Sequence, residues 1–493
     1  MIEGLIPGER NAFTALLEIM IILLPLSFVM WAVIHASITK KEPRSAIAWI
    51  AIIILSPVVG AVIYYMMGIN RIRKKASELK GDSVFSRFFS PESEDREIEK
   101  KQHTKGFPPD AAENIKNLML AGDYVLQTPM LSGNDADILE NGEEFYPRLI
   151  KEMENAEDYI LLQTYIFDVD ESGLKVIKAL KEAAERGVEV RVLIDAIGMR
   201  YSRRPASKVL KQNSINYALF LPAPTPFHFI YYHLRSHRKI VVIDGKKAFT
   251  GGMNIRSQFD KKGREKLRDT HFELKGPIVD SMRKMFISDW EFSKGAELGR
   301  CRKEAAPQKK GKIYMRGVPD GPDKDFENAR WTILSAISNA RKEIFIQTPY
   351  FVPDSEIINA LCLADLRGVD VKIVIPAKGN LCVVQWAMEA NFIRLVNKDV
   401  EIYKLPGVFD HSKIMVVDSC WSLIGSMNWD AMSLRLNFEY NVECYDRDFS
   451  GRLREIIKRK IGISNPVTIE ELRSVRLPKR IRNGAARLFS PYL

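Results

Sequence analysis

Cysteine is nearly absent: the 493 residues hold five, Cys301, Cys362, Cys382, Cys420 and Cys444, widely spaced and with no Cys-x-x-Cys pair. An odd, scattered set excludes a disulfide framework and a cysteine-built zinc site, and fits a reducing compartment. Histidine is almost as scarce, with seven. Carboxylates clustered for a catalytic metal are also missing, so the expected inventory is no cofactor and no metal. No basic stretch precedes the first apolar core and no clean small-x-small site follows it, which excludes a cleaved signal peptide. Acidic residues fall short of basic ones, 62 against 73, and the net charge of +11 implies a polyanionic partner, either nucleic acid or an anionic lipid surface.

Apolar runs, by contrast, are long. Residues 13–36 and 46–68 each exceed the ~20 residues that a membrane-spanning helix needs, with Glu18 the one acidic residue inside the first and only ITKKEPRS nearby to separate them. A two-helix transmembrane hairpin over residues 1–69 is the expectation. A buried hairpin of a soluble domain and an interfacial hairpin are the other readings. Arg71, Arg73, Lys74 and Lys75 follow the second run, while Lys40, Lys41 and Arg44 sit in the connecting loop. The denser cluster, with the cysteine usage, places both ends and the body of a multi-pass cell-membrane protein in the cytoplasm.

One stretch occurs twice. Residues 237–254 read HRKIVVIDGKKAFTGGMN and residues 411–428 read HSKIMVVDSCWSLIGSMN, with His, Lys, Asp, Gly and Asn each 174 residues apart. Between Lys and Asp lie four apolar residues, the short run of a strand buried on both faces. His and Lys, two apart, project from one side of the strand entrance. An imidazole and an ammonium there suit a bound phosphate: His attacks or carries protons near neutral pH, while Lys and the Asn amide hold non-bridging oxygens. Two core strands with polar ends in solvent would not explain the pairing of His, Lys and Asn.

The repetition reaches further. ENAEDYILLQTYIF (154–167) matches SNARKEIFIQTPYF (338–351), and ERGVEVRVLI (185–194) matches LRGVDVKIVI (366–375). Each copy alternates strand and periodic helix, with Gly at a helix end, which predicts a mixed α/β sheet sandwiched by helices. The expected architecture is therefore α/β, with two pseudo-symmetric domains: residues 70–130 as a tether, 131–300 as the first domain, 301–312 (CRKEAAPQKKGK) as the joint, 313–465 as the second domain and 466–493 as a basic amphipathic tail. Arg and Lys interleave with Leu and Ile in that tail, as in a helix resting on an anionic membrane; packing on the body is the other reading.

A carboxylate lies in a strand-like run after each motif, Asp269 in LRDTHFELKG and Glu439 in LNFEYNVECYD. A catalytic His needs an acceptor on its second ring nitrogen, and Asp269 and Glu439 are assigned that role. Asp244 and Asp418, at strand ends behind the Lys, fit structural or charge-partner positions better than substrate contact. His35, His103, His228 and His271 suit boundary, tether or packing positions, and His233 is left open.

At these residues the sequence resembles the phospholipase D superfamily, in which two His-Lys-Asp motifs build one active site across an internal pseudo-two-fold. Together with the apolar AWIAIIILSPVVGAVIYYMMG, the motifs IQTPYFVPD, LRGVDVKIVIP, GSMNWD, LNFEYN and ARLFSPYL look like bacterial-type cardiolipin synthases, over residues 46–493. Asp410, Ser412 and Met427 depart from the usual family pattern without removing a reactive group. The resemblance implies phospholipase D-type domains and phosphatidyl transfer between two phosphatidylglycerol-type lipids, giving cardiolipin and glycerol. It also implies the catalytic set His237, Lys239, Asp244, His411, Lys413 and Asp418, with Lys239, Lys413, Asn254 and Asn428 on the phosphate, His237 as nucleophile and His411 as acid and base. The implied partners are an anionic phospholipid and the membrane, with no nucleic acid; a homodimer is left open. Hydrolysis by a phospholipase D, transfer to another alcohol such as serine, and a membrane-anchored nuclease are the alternatives.

Overall fold

The computed structural model describes residues 12–40, 43–68, 112–126, 128–222, 234–260, 266–293, 295–302, 309–323 and 325–490. Most of the tether, with Arg71, Arg73, Lys74, Lys75 and His103, lies outside these residues, as do Lys41, His228, His233, half of the joint 301–312 and the last three residues of the tail. The chain divides into two units, Met1–Lys74 and Lys75–Leu493.

The amino-terminal unit holds α1 (Ala12–Thr39), α2 (Pro43–Leu55) and α3 (Pro57–Ile63), followed by a π-helical turn at Tyr64–Gly68. No helix among the described residues is long and apolar enough to cross a membrane. The second expected span, 46–68, is not one helix. Pro57 disfavours the helical region for the residue before it, and Ser56 adopts φ −141°, ψ 78°, which ends α2. Small residues close the packing: Ala32, Ala36 and Ala61 are buried with Ile53 and Tyr64, and a Cβ on Gly60 would lie 2.4 Å from the Ile52 carbonyl oxygen. Much of the outer surface is apolar, with Ile38 76% and Leu55 85% exposed.

In the larger unit, the first half supplies β1 (Leu131–Glu140), β2 (Tyr159–Thr164), β3 (Glu189–Asp195), β4 (Asn216–Phe220), β5 (Ile240–Ile243), β6 (Lys247–Gly251) and β7 (Thr270–Lys275). The second half supplies β8 (Ile313–Asp320), β9 (Glu343–Gln347), β10 (Asp370–Pro376), β11 (Glu401–Leu405), β12 (Ile414–Val417), β13 (Trp421–Gly425), β14 (Glu439–Tyr445) and β15 (Asn465–Pro466). All belong to one sheet, ordered β15-β11-β10-β9-β12-β13-β14-β8-β1-β7-β6-β5-β2-β3-β4. Reading outward from the β8/β1 seam, each half repeats the same order. The duplication in sequence is thus a duplication in topology, giving two α/β halves as expected.

Helices cover the sheet: α4 (Glu113–Val125), α5 (Gly142–Glu154), α6 (Glu171–Glu185), α7 (Ala206–Gln212), α8 (Ile278–Phe292), α9 (Asn328–Asn339), α10 (Ser355–Leu366), α11 (Cys382–Val396), α12 (Ala431–Arg435), α13 (Arg447–Ile461), α14 (Ile469–Arg473) and α15 (Leu477–Leu488). Several begin where a side chain satisfies orphan amides: Asp170 accepts from Gly173 in α6, Asp354 from Glu356 and Ile357 in α10, and Asp446 from Phe449 in α13. Ile160 and Leu162 of β2 pack with Phe145, Leu149, Val176 and Leu180 of α5 and α6. Leu161, between them, points to the opposite face by the two-residue period and is equally buried. Both faces of the central strands are covered, which is why their sequences are continuously apolar.

The tail lies on the second half. Asn483 and Ala486 of α15 are buried against it, while Leu477, Ile481 and Leu488 stay more than 60% exposed.

Candidate active site

His237 and His411 stand at the entrances of β5 and β12, where four buried residues carry the chain straight into the sheet. Each strand ends in a glycine-containing hairpin partner. Gly251 and Gly425 adopt φ 150° and 153°, and a Cβ on Gly425 would come within 2.6 Å of the Asn441 backbone. Only glycine fits that close approach.

Each imidazole is held by a carboxylate from the other half. His237 Nδ1 lies 2.9 and 3.0 Å from the two Glu439 oxygens, and His411 Nδ1 lies 3.0 Å from Asp269 Oδ2. The backbone imposes this crossing. Phe438 N–H donates to the Arg235 carbonyl at 2.8 Å and His237 N–H to the Phe438 carbonyl at 2.9 Å, while Arg268 N–H donates to Phe409 at 2.9 Å and His411 N–H to Arg268 at 2.7 Å. The segment before each His is thus zipped to the segment before the opposite carboxylate. Fixing Nδ1 in this way leaves Nε2 as the free, reactive nitrogen.

The carboxylates have their own supports. Ser426 Oγ donates to Glu439 Oε2 at 2.5 Å. At the matching position the first half has Gly252, where a Cβ would fall 2.3 Å from Asp269 Oδ2. A serine there would displace the carboxylate, so the two halves solve the same problem differently. Beneath His237, Arg238 forms a bidentate pair with Asp289 at 2.7 and 2.6 Å, donates through Nε to the Glu439 carbonyl at 3.0 Å, and is fully buried. Gln163 Nε2 donates to both Asp289 and Ser236. In the second half Ser412 replaces this arginine and meets Thr270 Oγ1 at 3.1 Å, while Asp410 pairs with Lys460 at 2.8 Å. Two of the departures from the family pattern thus form one buried polar cluster beside His411.

Lys239 and Lys413 donate to the carbonyls of His237 and His411 at 2.7 and 2.5 Å. Asn254 Oδ1 accepts from Ile166 N–H at 3.1 Å, which leaves its NH2 as the remaining donor; Asn428 is equally buried. Tyr165 sits edge-on to His237 at 5.3 Å, and Tyr350 to His411 at 6.4 Å.

Asp244 and Asp418 are not brought to the histidines, which corrects their place in the catalytic set. They lie beyond the far ends of β5 and β12. Asp244 accepts the amides of Glu157, Asp158 and Tyr159, and Asp418 those of Arg341, Lys342 and Glu343 together with the Asn114 side chain. They pin the loop that enters β2 or β9. His271 is a buried strand residue whose ring lies tilted against Phe145 at 4.2 Å.

Burial lowers both lysines, Lys239 to about 7 with Lys413 adding to the fall, and Lys413 to about 8, in each case partly offset by Glu439 and Asp269. Burial and Lys413 lower His411 to about 4 despite Asp269. Burial likewise lowers His237, against the pull of Glu439. Each imidazole also feels the lysine of the opposite half, so the four groups act as one charged set. A lowered histidine stays neutral and nucleophilic at pH 7, whereas a lowered lysine loses its charge early as pH rises. The expected profile of kcat/KM, which reports the free enzyme, falls on its alkaline side between about pH 7 and 8. A limb near the ordinary lysine value of 10.5 would show that these ammonium groups are not desolvated.

Sequence reasoning named both histidines, lysines, asparagines and carboxylates, and the structure sets each carboxylate on a histidine. It missed Arg238, Asp289, Ser426 and the crossing of partners. Arg238 and Ser426 do stand at the points where the two repeats differ, HRK against HSK and GGMN against GSMN, which was the available signal.

The family model described as "Cardiolipin synthase, PLD-like domain" matches residues 149–290 and 333–461, one match per half and more than half of the chain. The chain belongs to this family. A second model, the phospholipase D-nuclease N-terminal family, matches residues 27–68. The major cardiolipin synthase ClsA of Bacillus subtilis is 32% identical over 483 residues, covering 96% of this chain and 99% of that one. Cardiolipin synthase 1 of Staphylococcus epidermidis is 30% identical over 490 residues, covering 96% and 98%. A cardiolipin synthase of Clostridium perfringens is 31% identical, covering 92% and 96%. Among solved structures, the phosphatidylserine synthase of Haemophilus influenzae superposes with a TM-score of 0.60 at 16% identity, over 76% of this chain and all of that one. At that identity the likeness concerns the fold alone.

In this site a Glu439→Gln change keeps the shape but removes the charge that steadies His237 as it gains positive charge. Turnover is expected to fall by about 10²-fold or more, with the melting temperature nearly unchanged. Unaltered kinetics would take Glu439 out of the orienting role.

Proposed function

We propose that this chain is a cardiolipin synthase that moves a phosphatidyl group from one phosphatidylglycerol-type lipid to the free glycerol hydroxyl of a second. The observation that carries the reading is the pair of histidines, each oriented through Nδ1 by a carboxylate of the opposite half and each within the field of both lysines. His237 Nε2 attacks phosphorus, the bond to the departing glycerol oxygen breaks, and His411, which takes up a proton from water when the phosphodiester anion binds beside it, gives that oxygen the proton. A phospho-His237 intermediate results. The hydroxyl of the second lipid then attacks phosphorus, His411 takes its proton, and the bond to His237 breaks. A phosphodiester is exchanged for a phosphodiester, so no nucleotide and no metal enter the balance. Lys239, Lys413, Asn254 and Asn428 hold the phosphoryl oxygens as charge builds, each donor contributing on the order of 3 kcal/mol.

The assignment of His237 as nucleophile follows the family resemblance, and the asymmetric supports of the two halves agree with distinct roles. The amino-terminal unit anchors the chain in the cell membrane as a hairpin over residues 13–36 and 46–68, with the catalytic halves on the cytoplasmic side; its exposed apolar surface supports this. Purified full-length protein in detergent with phosphatidylglycerol is expected to release glycerol and form cardiolipin. Phosphatidic acid as main product would indicate a phospholipase D, phosphatidylserine on adding serine would indicate another alcohol, and tight binding of single-stranded DNA would indicate a nuclease.

A further inference from the structure

Gln163 of β2 pairs with Ile240 of β5, so the carboxyl end of β2 and that of parallel β3 lie at the sheet edge where His237 stands. In the second half, Gln347 pairs with Ile414 and Val374, placing the end of β10 at the edge where His411 stands. The turns leaving β3 and β10 therefore form the rim of the histidine site. Both carry large apolar residues in solvent: Tyr201 is 64% exposed, Leu381 51% and Val383 42%.

These residues are tied to the site itself. The Tyr201 ring lies 6.2 Å from that of Tyr165 and tilted to it, and Tyr165 is the ring beside His237. Asn380, next to Leu381, accepts the hydroxyl of Tyr350, the ring beside His411, at 2.7 Å. The tail adds a further group. Lys479 and Asn483 of α15 reach Glu389 of α11 at 3.1 and 3.0 Å, and Arg482 lies over Trp386 at 4.5 Å. The tail helix α15 is thus seated on α11, the helix that follows the β10 turn, and Phe489, at the end of α15, is 60% exposed. Arg203 and Lys378, also exposed, flank the two turns.

Single exposed apolar residues are ordinary. Here they recur on both halves, at one edge, around one site, with cations beside them, which is the composition of a surface that inserts shallowly into anionic lipid. We propose that this rim docks the catalytic halves on an anionic phospholipid bilayer, so that substrate passes from the membrane plane to the histidines. The inference rests on the lipid-transfer reading above.

The test uses the full chain reconstituted into phosphatidylcholine vesicles and supplied with phosphatidylglycerol in two forms: long-chain lipid in the bilayer, or dihexanoyl phosphatidylglycerol as monomers in water. Leu381→Asp and Phe489→Asp are expected to slow use of the bilayer lipid about tenfold, the effect of roughly 1.4 kcal/mol of lost insertion energy, and to leave the monomeric substrate unchanged. Equal loss with both substrates, or no loss with either, would overturn the docking role. Independently of turnover, the added fluorescence of Phe489→Trp is expected to be quenched by brominated lipid in phosphatidylglycerol-containing vesicles, and its absence would overturn the proposal. If the unsubstituted chain makes no product from either substrate while that quenching occurs, the transfer reading fails and the docking surface stands.

Discussion

Replacing His237 with Ala is expected to abolish the covalent lipid–protein adduct and to lower turnover by about 10⁴-fold or more, the scale at which removing a nucleophile or its base acts. Replacing His411 with Ala is expected to cost a similar factor but to leave a different trace. The adduct forms slowly or accumulates, because its departure needs a base for the incoming hydroxyl. The double variant should be little worse than either single one, since the two groups serve one reaction. Acid-quenched incubation with radiolabelled phosphatidylglycerol separates these outcomes. An adduct that survives loss of His237 and disappears with loss of His411 would exchange the two roles.

The second large effect concerns the support beneath the site. Asp289→Ala leaves the Arg238 guanidinium buried without its bidentate partner, and breaking such a pair from one side costs about 3–5 kcal/mol. The loss should appear as a lower denaturation midpoint. Turnover at permissive temperature should fall as well, because Arg238 also holds the Glu439 carbonyl. Replacing both Arg238 and Asp289 with leucine removes the two charges together and is expected to cost less stability than the single change. A double variant as unstable as the sum of the single ones would show that the two side chains act independently.

The reactive groups were legible because chemistry constrains their type and spacing. A His and a Lys two positions apart, followed by four apolar residues, is a local pattern, and local patterns survive in a linear chain. The amino-terminal hairpin shows the limit of such reading. A count of apolar residues over 46–68 says nothing of where Pro57 interrupts the helix, since that depends on the backbone of Ser56. The aspartates behind the lysines were drawn into the catalytic set by the resemblance, although four strand residues separate each from its lysine and carry it to the other end of the strand.

What the sequence by itself determined was the duplication, the α/β class, the two histidines with their lysines and asparagines, and the two carboxylates. The tertiary structure alone decided who partners whom: Glu439 with His237, Asp269 with His411, Asp289 with Arg238, Ser426 with Glu439. Periodicity and propensity act over a few residues, whereas these contacts join segments on opposite sides of the β8/β1 seam, on a helix packed against the sheet, or on neighbouring strands. The two histidine–carboxylate pairs exist only once two halves, each burying its own apolar faces, are joined edge to edge and backbone hydrogen bonds lock one to the other.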